Sequence, residues 1–208
     1  MPAITISRQY GSGGSEIAKL LGARLGWTVI DNEFVELVSQ KGGLPRPEVE
    51  RLEERVPGLL ERLAQALTLA SPEVFVTGET PTTGPSTEDE IHRVTEAVIA
   101  EAVKHDVVLV GRGAQSYLAA RDNVLHVFLA APRDVRVTRT MARLRVNRKE
   151  AERTVDKIDR ERREYVKTYY GRGWDDPDHY HLMLNTDRFR YAEVVDLIDA
   201  AVKLRRWR

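Results

Sequence analysis

Five residues near the amino terminus, Gly11-Ser12-Gly13-Gly14-Ser15, carry the clearest chemical signal in the chain. They follow a β-branched run, Ala3-Ile4-Thr5-Ile6-Ser7, and precede Glu16 to Leu25, whose apolar residues recur at helical spacing. A glycine loop between a strand and a helix N-terminus lets successive backbone N–H groups face an anion, and the helix dipole adds about half a positive charge there. The chemistry indicated is phosphate binding, with a plain tight turn as the alternative. Set against the phosphate-loop pattern GxxxxGK[ST], the segment has Arg8 in place of the first glycine and Gly14 in place of the lysine. Lys19 lies on the helix, a turn beyond the loop. Another cation has to neutralise the phosphates, and the candidates are Arg8, just before the loop, and Arg112 in Gly111-Arg112-Gly113. Arg8 is the preferred of the two because it is the nearer; a surface position is the alternative for either.

The elements that must hold these residues alternate along the chain. Trp27 to Ile30 reads as a second short strand ending at Asp31-Asn32, after which Phe34, Val35, Leu37 and Val38 begin a helix. Residues 42–86 hold six of the nine prolines (Pro45, Pro47, Pro57, Pro72, Pro81 and Pro85), with Leu52 to Leu67 keeping helical spacing between the breaks. This stretch reads as an acidic helical insertion into the scaffold, and Thr77 to Pro85 as a loop. Thr87 with Glu90 forms a capping box for a helix to Lys104. Val107 to Val110 and Val124 to Leu129 are continuous apolar runs, as in strands buried on both faces of a parallel sheet. Helical patterns follow from Arg133 to about Arg145 and from Lys149 to about Lys167, then a fifth strand at Leu182 to Asn185 and a closing helix from Tyr191 to Leu204. The prediction is one α/β domain over 1–208, doubly wound on a five-stranded parallel sheet. Ligands bind such sheets at the carboxyl ends of the strands, which singles out the loops after Ser7, Ile30, Val110, Leu129 and Leu184.

Charge adds a direction. The chain has 32 basic and 32 acidic residues, yet Asp31 to Glu101 holds fifteen acids against six bases, while Arg133 to Arg172 holds fourteen bases against seven acids. The basic block attracts a polyanion, unless it is a solvated helix laced with pairs such as Glu152 and Asp156 against Arg153 and Lys157. Nucleic acid is the weaker choice of polyanion, since the isoelectric point lies near 7 and few aromatic residues interleave the arginines. The chain has no cysteine, which removes disulfides, thiolate metal sites and cysteine nucleophiles. His179 and His181 read as a surface pair and Trp174 as a loop anchor. No apolar run reaches the roughly 18 residues of a membrane span, and the start lacks a signal-peptide layout, so a cytoplasmic protein is expected.

Five segments in order resemble one family over about 180 residues: Ile6 to Ala18; Asp31; Val108 to Gly113; Val127 to Pro132 with Arg136, Arg139 and Met141; and Leu182 to Thr186. The chain is similar to the cytidylate kinases, and more closely to their cytidylate kinase-like branch. The resemblance implies a three-layer P-loop NTPase-like domain with ATP and Mg2+ as cofactors and a nucleotide as acceptor. It makes Gly11, Ser12, Gly13, Gly14 and Ser15, with Glu16, the cradle for the ATP phosphates, and Ser15 the magnesium-side hydroxyl. Asp31 stands beside the acceptor, Arg112 binds acceptor phosphate, and Arg139 approaches the donor base. The segment 133–172 becomes an arginine-rich helical lid, with Arg160 and Arg163 as catalytic cations and Lys167 on the substrate. Three positions depart from cytidylate kinases proper: Val110 and Gly113 stand where aspartates flank the Gly-Arg pair, and Leu37 stands near the place of an acceptor-side arginine. The expected activity is phosphoryl transfer to a nucleoside monophosphate, a pyrimidine nucleotide such as CMP. The alternative is a nucleotide-binding regulatory or scaffold protein. The oligomeric state stays open, a homodimer included.

Overall fold

The computed structural model describes residues 1–31 and 87–207. The expected insertion at 42–86 and the expected helix after Asp31 lie outside the described residues, as do the side chains of Thr87 and Glu90. Five parallel strands form one sheet in the order β2-β3-β1-β4-β5: β1 (Ala3–Arg8), β2 (Thr28–Asp31), β3 (Val107–Val110), β4 (Val124–Ala130) and β5 (Leu182–Asn185). The helices are α1 (Gly14–Leu25), α2 (Thr87–Ala102), α3 (Ala114–Tyr117), α4 (Arg133–Leu144), α5 (Arg148–Tyr170) and α6 (Tyr191–Leu204). The sequence pattern had missed the one-turn α3 and a short 3-10 turn at Pro177–His179, neither long enough to show a period.

Both faces of the sheet are covered, which is why β3 and most of β4 read as apolar runs and why all six residues of β1 are buried, Thr5, Ser7 and Arg8 included. On one face Ile4, Ile6, Val108 and Val127 pack against Ile17 and Leu21 of α1 and Val194 and Ile198 of α6. On the other, Ile30, Val107 and Leu109 pack against Val98, Ile99 and Ala102 of α2, with Leu118 beside them. β5 alternates half-buried and exposed residues, as an edge strand does.

The basic block forms a helical hairpin. Asn147 caps α5 by accepting from the Glu150 N–H at 3.0 Å, and Gly171 ends the helix in the left-handed conformation. Val137 of α4 packs on Ala151 and Val155 of α5, with Tyr10 and Met141 alongside. Several of its ion pairs run between the two helices: Arg133 to Asp156 at 2.7 Å, Arg148 to Asp134 at 2.7 Å, and Arg136 to Asp159 at 2.6 Å. Among the described residues, no helix is long and apolar enough to cross a membrane.

Candidate functional site

The register places Ile6 beside Val110 and Asp31 beside Val110, so the carboxyl ends of β1, β2 and β3 share one edge. The glycine loop sits on that edge and is held from three sides. The Gln9 N–H donates to Leu129 O at 2.9 Å, and the Gln9 side-chain oxygen accepts from the Ala131 N–H at 3.1 Å. The Tyr10 N–H donates to Asp159 of α5 at 2.7 Å. The Ser12 carbonyl accepts from the Thr186 hydroxyl at 2.8 Å. Ser12 itself is fully buried, its hydroxyl and its N–H both directed to Gln9 O at 2.8 and 3.2 Å, and it does not line the cavity above the loop.

Gly13 caps α1 with φ of 85°, a conformation that suits glycine, and the first residues of the helix are Gly14 and Ser15. The Ser15 hydroxyl donates to Asp31 Oδ2 at 2.7 Å, and the Arg8 guanidinium meets the other oxygen, Oδ1, at 3.4 Å. Two residues of one predicted segment, Arg8 and Ser15, therefore converge on the carboxylate of Asp31 from another.

Above the loop lies a cavity of about 440 Å3. Arg8, Arg139, Arg143 and Arg162 all reach its walls, and Glu16 is the one carboxylate among the lining residues. Arg139 is held by two hydrogen bonds to Thr186, 3.0 Å to its hydroxyl and 2.9 Å to its carbonyl, and its guanidinium lies 5.5 Å from the Tyr191 ring. Arg143 and Arg162 stack on Tyr10 at 4.7 and 5.8 Å, and Arg162 also donates to Arg8 O at 2.8 Å. Thr140 lines the same cavity, 1% exposed, and its hydroxyl is unpartnered among the described residues.

Three residues of the expected lid lie elsewhere. Arg160 and Lys167 are exposed and Arg163 pairs with Asp175 at 2.9 Å over the Trp174 ring; none of the three lines the cavity. Arg162, between Arg160 and Arg163, does. The reason is helical phase, since the turn of α5 that faces the loop presents residues 159 and 162 together. Trp174 is buried edge-on against Phe128, a loop anchor. His181 is exposed, as a surface residue, and accepts from the His126 N–H at 2.9 Å.

Arg112 stands apart from the cavity, at the end of β3, with φ of 49° between two left-handed glycines. Holding a side-chain-bearing residue there costs roughly 1 kcal/mol or more. Its guanidinium lies 5.5 Å from the Tyr165 ring, and His92 stacks on Tyr169 at 4.0 Å beside it. Burial lowers the Arg112 pKa from its ordinary value and pushes the Tyr165 hydroxyl up to about 12.

The sequence profile of the cytidylate kinase-like family matches residues 3–188. The chain belongs to that family. No curated protein matches this cytidylate kinase-like chain in sequence. Among solved structures it is similar to an uncharacterized protein from Eubacterium ventriosum, 20% identical, with a TM-score of 0.69 and 98% and 99% of the two chains covered. It is also similar to the shikimate kinases of Bacteroides thetaiotaomicron (14% identity, TM-score 0.54, 97% and 98% covered) and Acinetobacter baumannii (14%, 0.51, 100% and 96%). At these identities the likeness speaks to the fold, that of the P-loop kinases. Tyr10, Thr140, Arg143, Arg162, Thr186 and Tyr191 of this cytidylate kinase-like chain were not singled out from sequence as individual site residues. Thr186 and Arg162 lay within segments already noted; Thr140 and Tyr191 carried no local signal.

Proposed function

We propose that this chain transfers a phosphoryl group from ATP to a nucleoside monophosphate, a pyrimidine nucleotide such as CMP. The observation that carries the reading is the glycine loop at the carboxyl end of β1, facing a cavity walled by four arginines and one carboxylate. The site fits a triphosphate in two respects: the excess of guanidinium charge matches a polyanion, and the buried Thr140 hydroxyl points to a missing partner.

Gly11 to Ser15 and Glu16 would cradle the phosphates, and Arg139 with Tyr191 would flank the donor base. Ser15 would face the magnesium ion, with Asp31 as the carboxylate that orients its hydroxyl. When bound, Mg2+ supplies charge neutralisation on the phosphate oxygens. Asp31 and Arg112 would hold the acceptor, so that an acceptor phosphate oxygen forms the new bond to the γ-phosphorus while the bond to the bridging oxygen breaks. Helices α4 and α5 would act as the lid, presenting Arg143 and Arg162 to the charge that spreads over the equatorial oxygens. Arg160, Arg163 and Lys167 would enter only if α5 turned or shifted.

The test is a screen of ATP consumption by the purified protein across nucleoside monophosphates and nucleosides, with shikimate as a control. Transfer to CMP or UMP is expected. Transfer to none of them, with ATP still bound, would replace this reading by the regulatory or scaffold one.

A further inference from the structure

Residues 8 and 14 depart from the phosphate-loop pattern in opposite senses, and the structure joins the two departures. Gly14 is not among the left-handed glycines, so its backbone would admit a side chain. What excludes one is Arg8: a Cβ at residue 14 would lie 2.6 Å from Arg8 Cγ and 3.0 Å from Arg8 Cβ. The stem of Arg8 thus runs through the space where a lysine at 14 would begin. At the far end, Arg8 Nη1 fills the space that a side chain at Gly111 would need. The guanidinium comes to rest between the end of β3 and Asp31, with Arg8 7% exposed and lining the cavity.

We propose that the phosphate-gripping cation of this loop has moved from residue 14 to residue 8, and that Gly14 and Gly111 are the room made for it. The inference rests on the donor reading above. The exchange is reciprocal: the large cationic residue occupies the pattern's first glycine position, and the glycine occupies its lysine position. Chemically the two cations differ. A lysine offers a mobile point charge, whereas the Arg8 fork is already oriented by Asp31, whose second oxygen orients Ser15. One carboxylate therefore aligns both the relocated cation and the loop's terminal hydroxyl. It also follows that a lysine placed at 14 alone cannot restore the common loop, because Arg8 blocks it.

The experiment compares the wild type with Arg8→Met, Arg8→Gly, Gly14→Lys and the double variant Arg8→Gly/Gly14→Lys. Two measurements are taken on each: thermal stability without nucleotide and Mg-ATP affinity by calorimetry. Without nucleotide, Gly14→Lys should lower the melting temperature sharply in the Arg8 background and much less in the Arg8→Gly background; equal losses would overturn the steric half of the exchange. Arg8→Met keeps the stem and removes the charge, and its Mg-ATP affinity should fall about tenfold to a hundredfold, the range for losing a hydrogen bond to a charged group. The double variant should bind Mg-ATP more tightly than Arg8→Gly does. A folded Arg8→Met with wild-type affinity, or a folded double variant no better than Arg8→Gly, overturns the relocated cation. A wild-type protein that takes up no Mg-ATP overturns the donor reading and the cation's role together, while the stability comparison still decides the steric exchange.

Discussion

Thr140 shows what single residues contribute at this site. Its hydroxyl lies 3.1 Å from the position a Cβ on Gly11 would take, inside a buried wall, and it is unpartnered among the described residues. A buried hydroxyl without a partner costs stability, roughly 1 kcal/mol or more, so its presence calls for a ligand group that repays it. Thr140→Val keeps the shape and removes the hydroxyl. The free protein should be as stable or more so, by up to about 1 kcal/mol, while Mg-ATP affinity drops severalfold. Calorimetric titration beside chemical denaturation checks both, and unchanged affinity would make the hydroxyl a packing residue. Ser12 teaches the opposite lesson: it sits in the glycine loop, yet its hydroxyl is already used by Gln9 O. From sequence the two could not be told apart, because what separates them is a hydrogen-bond partner 3 residues away for Ser12 and, for Thr140, the approach of α4 to the glycine loop.

At the scale of elements, the α4–α5 hairpin is clamped to the glycine loop. Arg136, 6% exposed, donates to Asp159 at 2.6 Å, to Tyr10 O at 3.1 Å and to Ala131 O at 3.0 Å, while the other Asp159 oxygen accepts from the Tyr10 N–H. Removing one partner of such a buried pair strands the other charge, so Asp159→Ala should destabilise the fold by about 3 kcal/mol and weaken nucleotide binding as well. Arg133→Ala, which breaks exposed pairs to Asp156 and Glu152, should have little effect on either. Urea denaturation of the two variants makes the comparison, and equal losses would mean that the clamp is no stronger than the surface pairs. The charge pattern of 133–172 was legible in the sequence. Which of its arginines face the loop was not, since that depends on the rotation of α5 about its own axis, and the rotation is set by the packing of Ala151, Val155 and Asp159.

Across the whole molecule, acid stability hinges on the centre of the sheet. His126 on β4 is 4% exposed; its Nδ1 meets the Thr5 hydroxyl at 2.8 Å and its ring stacks on His181 at 5.1 Å. Burial, with smaller contributions from His181, Arg172 and Arg205, lowers its pKa to about 4, and burial also lowers that of His181. The unfolded chain takes up the proton near pH 6.5 and the folded one only near pH 4, so stability should be full above about pH 6.5 and fall between there and pH 4. Denaturation curves at pH 7 and 4.5 should show the loss, and His126→Asn should show less of it; an equal loss in the variant would assign the acid sensitivity elsewhere. The five parallel strands were determined by the sequence alone, because apolar runs and helical periods are local signals; the glycine loop after the first strand is a local signal too, and it is the basis of the phosphate-binding expectation for Gly11 to Ser15. The convergence of Arg8, Ser15 and Asp31 was decided only by the tertiary structure, as was the reason for glycine at 14. The first brings together the ends of β1 and β2, which β3 separates in the sheet, and the second depends on a side chain whose path through space no local spacing records.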